Sequence, residues 1–169
     1  MTLLETERLI LRTFTPDDFD AFAEIMADPK VTRYLGDPTP RSRPQAWRAM
    51  AECVGHQHLR GFSQSAVIEK ATGRLLGRGG LWYPEGWPAL EVGWVLGRFA
   101  WGRGYATELG RASVRYAFEV LGADEVCSLI HPDNQRSIKV AERIGHEYWG
   151  EYVGPDGHRS LLYGQRRKG

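Results

Sequence analysis

The chain has 169 residues, 42% of them hydrophobic. Against roughly 150 residues for a typical domain, this predicts one domain spanning 1–169 with a sizeable core. Lys and Arg number 22 against 21 Asp and Glu, a net charge of +1, which excludes a global field for gathering nucleic acid or anionic membrane and leaves only a local anion site. A mean hydropathy of −0.42, no long apolar run and no cationic-then-apolar leader after Met1 predict a cytoplasmic protein without a membrane span. Cys53 and Cys127 lack CxxC or Cys/His ligand spacing and read as core thiols, so no metal is expected.

Leu9, Leu11 and Thr13 alternate with Ile10 and Arg12, which predicts a strand over 7–14. Thr15 suits an N-cap and Pro16 the first helical position. Asp17 and Asp18 favour the positive helix end, and Phe19, Phe22, Ala23 and Met26 form one apolar face of a helix ending near Asp28-Pro29. Three prolines and Gly36 make 31–44 a loop, before Ala46, Trp47, Met50, Ala51 and Val54 trace a second helix. Strands are expected over 62–69, 75–83 and 89–97, the first two joined by the turn at 70–74. Tyr105, Leu109, Ala112, Tyr116 and Val120 form a helical stripe closed by Gly122. A buried strand over 126–130 and a helix through Ile138, Ala141 and Ile144, ended by Gly145, follow. Two strands over 146–153 and 158–165 flank the turn Gly154-Pro155-Asp156-Gly157. The order β-α-α-β-β-β-α-β-α-β-β predicts a mixed sheet with helices on both faces, and Arg166-Arg167-Lys168 read as a solvated tail.

The most informative stretch is Leu96 to Thr107, which joins a strand to the longest helix and has small residues at 102, 104 and 106. A helix start leaves N–H groups unpaired and carries partial positive charge, so a diphosphate fits there without a lysine-rich site, with Arg98 and Arg103 adding charge. Three readings compete. The glycines can simply permit a tight turn. Gly102-x-Gly104 with Asp124 beyond it also suggests a dinucleotide fingerprint, but Thr107 stands at the third glycine and the loop comes late in the chain.

The third reading depends on His131-Pro132-Asp133-Asn134-Gln135-Arg136-Ser137, which runs into a helix ending at Gly145. Together with Trp101-Gly102-Arg103-Gly104-Tyr105-Ala106-Thr107-Glu108, it resembles the two acetyl-CoA-binding motifs of the GNAT N-acetyltransferase superfamily. The opening Leu4-Glu5-Thr6-Glu7-Arg8-Leu9-Ile10-Leu11-Arg12, with Asp18 after it, further resembles the branch that contains ribosomal-protein N-terminal acetyltransferases. The resemblance runs from residue 4 to about 163. It implies an α+β fold of the acyl-CoA N-acyltransferase type, a central mixed twisted sheet of about seven strands flanked by about four helices. It also implies acetyl-CoA as cosubstrate, and an amine-bearing small molecule or a protein N-terminus as acceptor. Dimers are common in that branch, so a homodimer is a further expectation.

Carried over by position, the resemblance places the Leu96 backbone N–H at the pantetheine or the thioester oxygen. It lays the diphosphate on the amides from Trp101 to Thr107, around Gly102, Gly104 and Ala106, with Tyr105 among them. Asn134 matches the asparagine that bonds the pantetheine region and is also an ordinary N-cap. Ser137 matches a serine that protonates the departing thiolate. Many relatives have a tyrosine acid seven residues after the asparagine, where this chain has Ala141. His146 replaces a usual phenylalanine and reads as a packing change. His56 and His58 lack convergent metal ligands.

Glu91, on the strand leading into the loop, is the candidate base acting through water. Tyr34 and Asp37, or Trp82, Tyr83 and Trp87, are candidates for acceptor contacts, with Glu91 counted among the acceptor-binding groups. A neutral amine must attack, so an α-amine of pKa near 8 needs only a modest base at neutral pH. No covalent acyl-enzyme is required. A catalytically silent acyl-CoA-binding sensor module is the alternative.

Overall fold

The computed structural model describes residues 1–154 and 157–168. The expected turn at 154–157 therefore lies partly outside the described residues, at Pro155 and Asp156. Eight strands form one sheet: β1 (Thr2–Glu5), β2 (Leu9–Arg12), β3 (Gln64–Glu69), β4 (Leu75–Trp82), β5 (Glu91–Leu96), β6 (Glu125–Ile130), β7 (Glu147–Val153) and β8 (Arg159–Arg166). Their spatial order is β1-β2-β3-β4-β5-β6-β8-β7. Among the described residues five α-helices accompany them: α1 (Phe19–Met26), α2 (Pro29–Thr32), α3 (Arg43–Arg60), α4 (Tyr105–Glu119) and α5 (Gln135–Arg143).

Two elements exceed the sequence expectation. The strand expected over 7–14 is the shorter β2, and β1 precedes it as an antiparallel edge partner, pairing Leu4 with Leu11. The turn between them forms because the Thr6 hydroxyl donates to Glu108 Oε1 at 2.5 Å and accepts from the Leu9 N–H at 2.9 Å. Running into the start of the expected loop is the single turn of α2, which Asp28 caps by accepting from the Lys30 N–H at 2.9 Å. Pro29 at its first position suits that start.

Apolar layers cover both sheet faces. On one, Phe22 and Met26 of α1 and Met50 and Cys53 of α3 pack against Ala66, Ile68 and Trp82. On the other, Leu109 and Tyr105 of α4 pack against Leu9, Val67, Leu76 and Leu96. β3 lies between the two layers and is buried at all six positions. Beside the first layer, Arg12 holds Asp18 with two bonds of 2.6 and 2.8 Å. Burial pushes the Asp18 carboxyl up, but the guanidinium and Thr15 outweigh it and keep it below the usual carboxylate range.

Among the described residues the sheet's only parallel neighbours are β5 and β6, and their ladder registers a single pair, Glu91 with Cys127. Ser128 Oγ donates to the Val92 carbonyl at 2.6 Å just beyond that pair. Past this point the strands part. A cleft outside the carboxyl ends of two parallel strands is the usual ligand position in such sheets.

Candidate active site

The parting of β5 and β6 frees backbone groups. Across the β4–β5 ladder the Gly97 N–H donates to the Leu76 carbonyl at 2.8 Å. Antiparallel alternation then turns the backbone groups of Trp94 and Leu96 away from β4, into the gap. The Leu96 carbonyl is taken by Trp101 Nε1–H at 2.8 Å, which leaves the Leu96 N–H facing the cleft.

Above the gap, the loop uses glycine for conformational reasons at two places. Gly102 and Gly104 have φ of 72° and 79°, the left-handed region that costs other residues roughly 1–2 kcal/mol. Trp101 N–H bonds Arg98 and Glu108 N–H bonds Gly104. Among the described residues, the amides from Gly102 to Thr107 have no acceptor between those two. An unbroken row of free N–H groups at the start of a 15-residue helix is an anion site.

The cleft has a volume of about 1040 Å³ and runs from this row, past the ends of β5 and α5, to α2. Lys30, Arg33, Arg98, Arg136, Lys139 and Arg143 line it, with Asp133 the one carboxylate among its described lining residues. Arg98 is ion-paired to Asp28, and Arg136 lies 4.7 Å over the Trp101 ring. The free amides and these cations fit the diphosphate and phosphate of a coenzyme A molecule.

Of the sequence-derived residues, Leu96, Arg98, Trp101, Gly102, Gly104, Tyr105, Ala106, Thr107, Asn134, Ser137 and Tyr34 line the cleft. Several do so differently from the expectation. Tyr105 contributes backbone, because its ring is buried and its hydroxyl donates to Glu69. Arg103 pairs with Glu69 at 3.3 Å and packs 5.0 Å from the Tyr105 ring, so its charge is spent away from the cleft. Trp101 supports the loop through Leu96.

Asn134 caps α5, its Oδ1 accepting from the Ser137 N–H at 3.2 Å. Ser137 Oγ accepts from Trp94 Nε1–H at 3.2 Å, so its own hydroxyl proton is available to a group in the cleft. Ala141 is fully buried and offers no proton. Tyr34 faces His131, at the end of β6, with ring centroids 5.2 Å apart.

Glu91 stands at the apex of the gap. Its Oε2 accepts from Trp87 Nε1–H at 2.7 Å. Burial lifts its carboxyl above the ordinary range, opposed by Trp87, the Leu129 N–H and Arg78. Trp87 thus orients Glu91 and is not a cleft residue. Trp82 is packed in the core rather than in the cleft, 8% exposed and stacked 4.2 Å from His56. His56 is held by backbone at both nitrogens, 2.8 Å from the Phe62 carbonyl and 3.1 Å from the Tyr83 N–H. Asp37 pairs with Arg41 at 2.9 Å, and Tyr83 packs 5.4 Å from Arg60. Asp124, which a dinucleotide reading needs beside the loop, lies at the opposite end of β6 and pairs with Arg167 at 2.8 Å.

One residue escaped the sequence reading as a site component. Arg8 donates to Glu108 Oε2 at 2.6 Å and to the Arg103 carbonyl at 2.9 Å, and lies 4.5 Å over the Tyr105 ring. It ties β2 to the loop with the free amides. Its signal was present in the Leu4–Arg12 resemblance, but no periodicity points to it.

The sequence model of the acetyltransferase (GNAT) domain matches residues 8–147. The chain belongs to the GNAT acetyltransferase family. An uncharacterized N-acetyltransferase, p20 of Bacillus licheniformis, is 30% identical over 152 residues, covering 89% of this chain and 85% of its own. The crystal structure of an acetyltransferase from Agrobacterium tumefaciens superposes with a TM-score of 0.86 at 32% identity, over 99% of this chain and 95% of that one. The aminoglycoside acetyltransferase AAC(6')-Ib, solved with coenzyme A, shares the fold with a TM-score of 0.74 at 20% identity, over 94% and 95% of the two chains. The GNAT chain described here is accordingly an acetyltransferase with the acyl-CoA N-acyltransferase fold. No helix among its described residues is long and apolar enough to cross a membrane.

Proposed function

We propose that the whole chain acts as one acetyl-CoA-dependent N-acetyltransferase domain that acetylates a primary amine by direct attack. The observation that carries this is the gap between β5 and β6, whose free amides at Trp94 and Leu96 open onto the unpaired N–H groups of the 102–107 loop. The loop holds the diphosphate and the pantetheine arm lies in the gap.

Strand rise supports one position for the acetyl group. Glu91 and Leu96 are five residues apart, about 16 Å along a strand, whereas Glu91 and Trp94 are about 10 Å apart. Trp94 is also bonded to Ser137. On this reading the thioester oxygen sits at the Trp94 N–H and the arm at the Leu96 N–H, the pantetheine alternative of the two expected for Leu96. Such preorganised donors contribute roughly 3–4 kcal/mol to acyl transfer.

The neutral amine attacks the thioester carbonyl, and its proton passes through water to Glu91, whose affinity for a proton is raised by burial. Collapse of the tetrahedral intermediate breaks the C–S bond, and the thiolate takes the Ser137 hydroxyl proton. The Glu91→Gln substitution is expected to lower turnover about 100-fold, with acetyl-CoA still stabilising the protein. Unchanged turnover removes Glu91 as the base. Acetyl-CoA binding with no turnover of any amine identifies a silent sensor module instead.

A further inference from the structure

The mechanism leaves one half-buried cation unused. Arg78 stands in the middle of β4, directly across from Val95, a residue of the cleft wall. Its guanidinium carries five N–H donors. Among the described residues its single hydrogen-bond partner is Cys53 Sγ at 3.7 Å, a weak acceptor, and its Nε is buried with no partner. No carboxylate pairs with it. Its charge acts on the Glu91 carboxyl without an ion-pair contact, so its remaining donors are open to a further anion.

A second orphan lies beside it. Gln64 is 7% exposed and its Oε1 has no partner. Gln64 pairs with Gly80, which pairs with Gly93. By strand alternation, Arg78, Gln64 and Glu91 share the sheet face beneath α3, around these two glycines. A Cβ on Gly93 would collide with Gln64 Nε2 and stand 3.8 Å from Glu91 Oε1. Glycine at this position makes room for the Gln64 carboxamide beside Glu91. The positive charge of Arg78 also pulls the Glu91 carboxyl down against its burial. In the cleft itself, Lys30 and Arg33 of the α2 region have no ion-pair partner among the described residues, an environment that repels polycations.

We propose that Arg78 anchors a carboxylate of the acceptor, so that the substrate is an amino acid or a short acidic peptide whose amine is presented to Glu91 and the β5–β6 gap. This deepens the acetyl-transfer reading and rests on it. The guanidinium supplies the donors, Gln64 supplies an acceptor for the acceptor's own N–H groups, and the amine nitrogen attacks the thioester as already described. Polyamines and aminoglycosides lack the carboxylate and meet uncompensated cations.

Matched pairs test the proposal: free amino acids against their amides, with short peptides of acidic sequence as a separate arm and spermidine as a polycation. Release of coenzyme A is followed for the native protein, Arg78→Met and Arg78→Lys. The native protein is expected to favour each carboxylate over its amide at least tenfold in kcat/KM. Arg78→Met raises the KM for carboxylates about tenfold, leaves that of the amides unchanged, and is partly rescued by Arg78→Lys. The two arms decide between free amino acid and peptide.

Amides or spermidine used as well as carboxylates, or a Met variant that raises KM equally for both members of a pair, overturns the proposal. Melting with acetyl-CoA separates the two levels of failure. A variant that acetyl-CoA still stabilises is folded with an intact cofactor site. A native protein that acetyl-CoA does not stabilise loses the acetyl-transfer reading itself.

Discussion

His146 provides a sharp test of how burial sets charge in this fold. It follows the helix-ending Gly145, is 4% exposed, and has Nδ1 2.8 Å from Gln165 Nε2 while its Nε2 has no partner. Burial alone pushes its pKa down to about 4, against about 6.5 in an unfolded chain. Between these values the unfolded chain binds a proton that the folded chain refuses, so stability is undiminished above about pH 6.5 and falls as pH drops toward 4. At 1.36 kcal/mol per pKa unit the full loss is about 3 kcal/mol, of which about 2 kcal/mol has accrued by pH 5. His146→Phe removes the titration and the orphaned ring nitrogen, while Gln165 keeps its 2.9 Å bond to the Ile144 carbonyl. Urea unfolding followed by tryptophan fluorescence at pH 7.5 and pH 5 should show the variant gaining about 2 kcal/mol on the native protein between the two conditions. Equal pH dependence of the two proteins refutes the reasoning.

Other perturbations act on the site. Arg8→Leu removes the tie from β2 to the Arg103 carbonyl and Glu108 and should weaken acetyl-CoA binding about tenfold, or about 1.4 kcal/mol. Calorimetric titration reads the affinity, and kcat at saturation should stay within about twofold; a loss of kcat alone would contradict a loop-positioning role. Ser137→Ala should lower kcat by roughly 100-fold, the lower end for a proton donor, with little change in the KM for acetyl-CoA; full turnover in single-turnover experiments would leave water as the proton source. Gly104→Ala places a side chain at a φ of 79° and 3.5 Å from Arg8 Nη2. It should cost roughly 1–2 kcal/mol of stability, read by urea unfolding; an unchanged midpoint would show that the loop does not need left-handed backbone there.

What was legible in the sequence is what local chemistry dictates. Gly102 and Gly104 announce left-handed backbone before a helix, Asn134 announces a cap, and the Tyr105–Val120 stripe announces a two-sided helix. The first two are settled by neighbours within a few residues, and the third is legible from its own spacing, although its packing partners are distant. β1 escaped because four residues with no alternation of their own become a strand only by pairing with β2. α2 escaped because a single proline-led turn is indistinguishable from loop until Asp28 caps it. The side-chain directions of Arg103 and Tyr105 depend on Glu69, a residue of distant β3. Trp82 looked available beside a turn, yet it lies between His56 and the core. The side-chain bond from Trp94 to Ser137 crosses from β5 to α5 and has no signal in either segment alone. Partners far apart in sequence decide each of these, and periodicity does not carry that information.

The central claim is that the β5–β6 gap and the loop amides hold acetyl-CoA. Thermal melting of the purified protein with acetyl-CoA, with NAD and alone tests it directly. Acetyl-CoA at 100 times its Kd adds about 2.7 kcal/mol to the folded state. For a chain of this size that is an upward shift in Tm of about 5–10 °C, with none from NAD. A melting temperature unmoved by saturating acetyl-CoA would contradict the account.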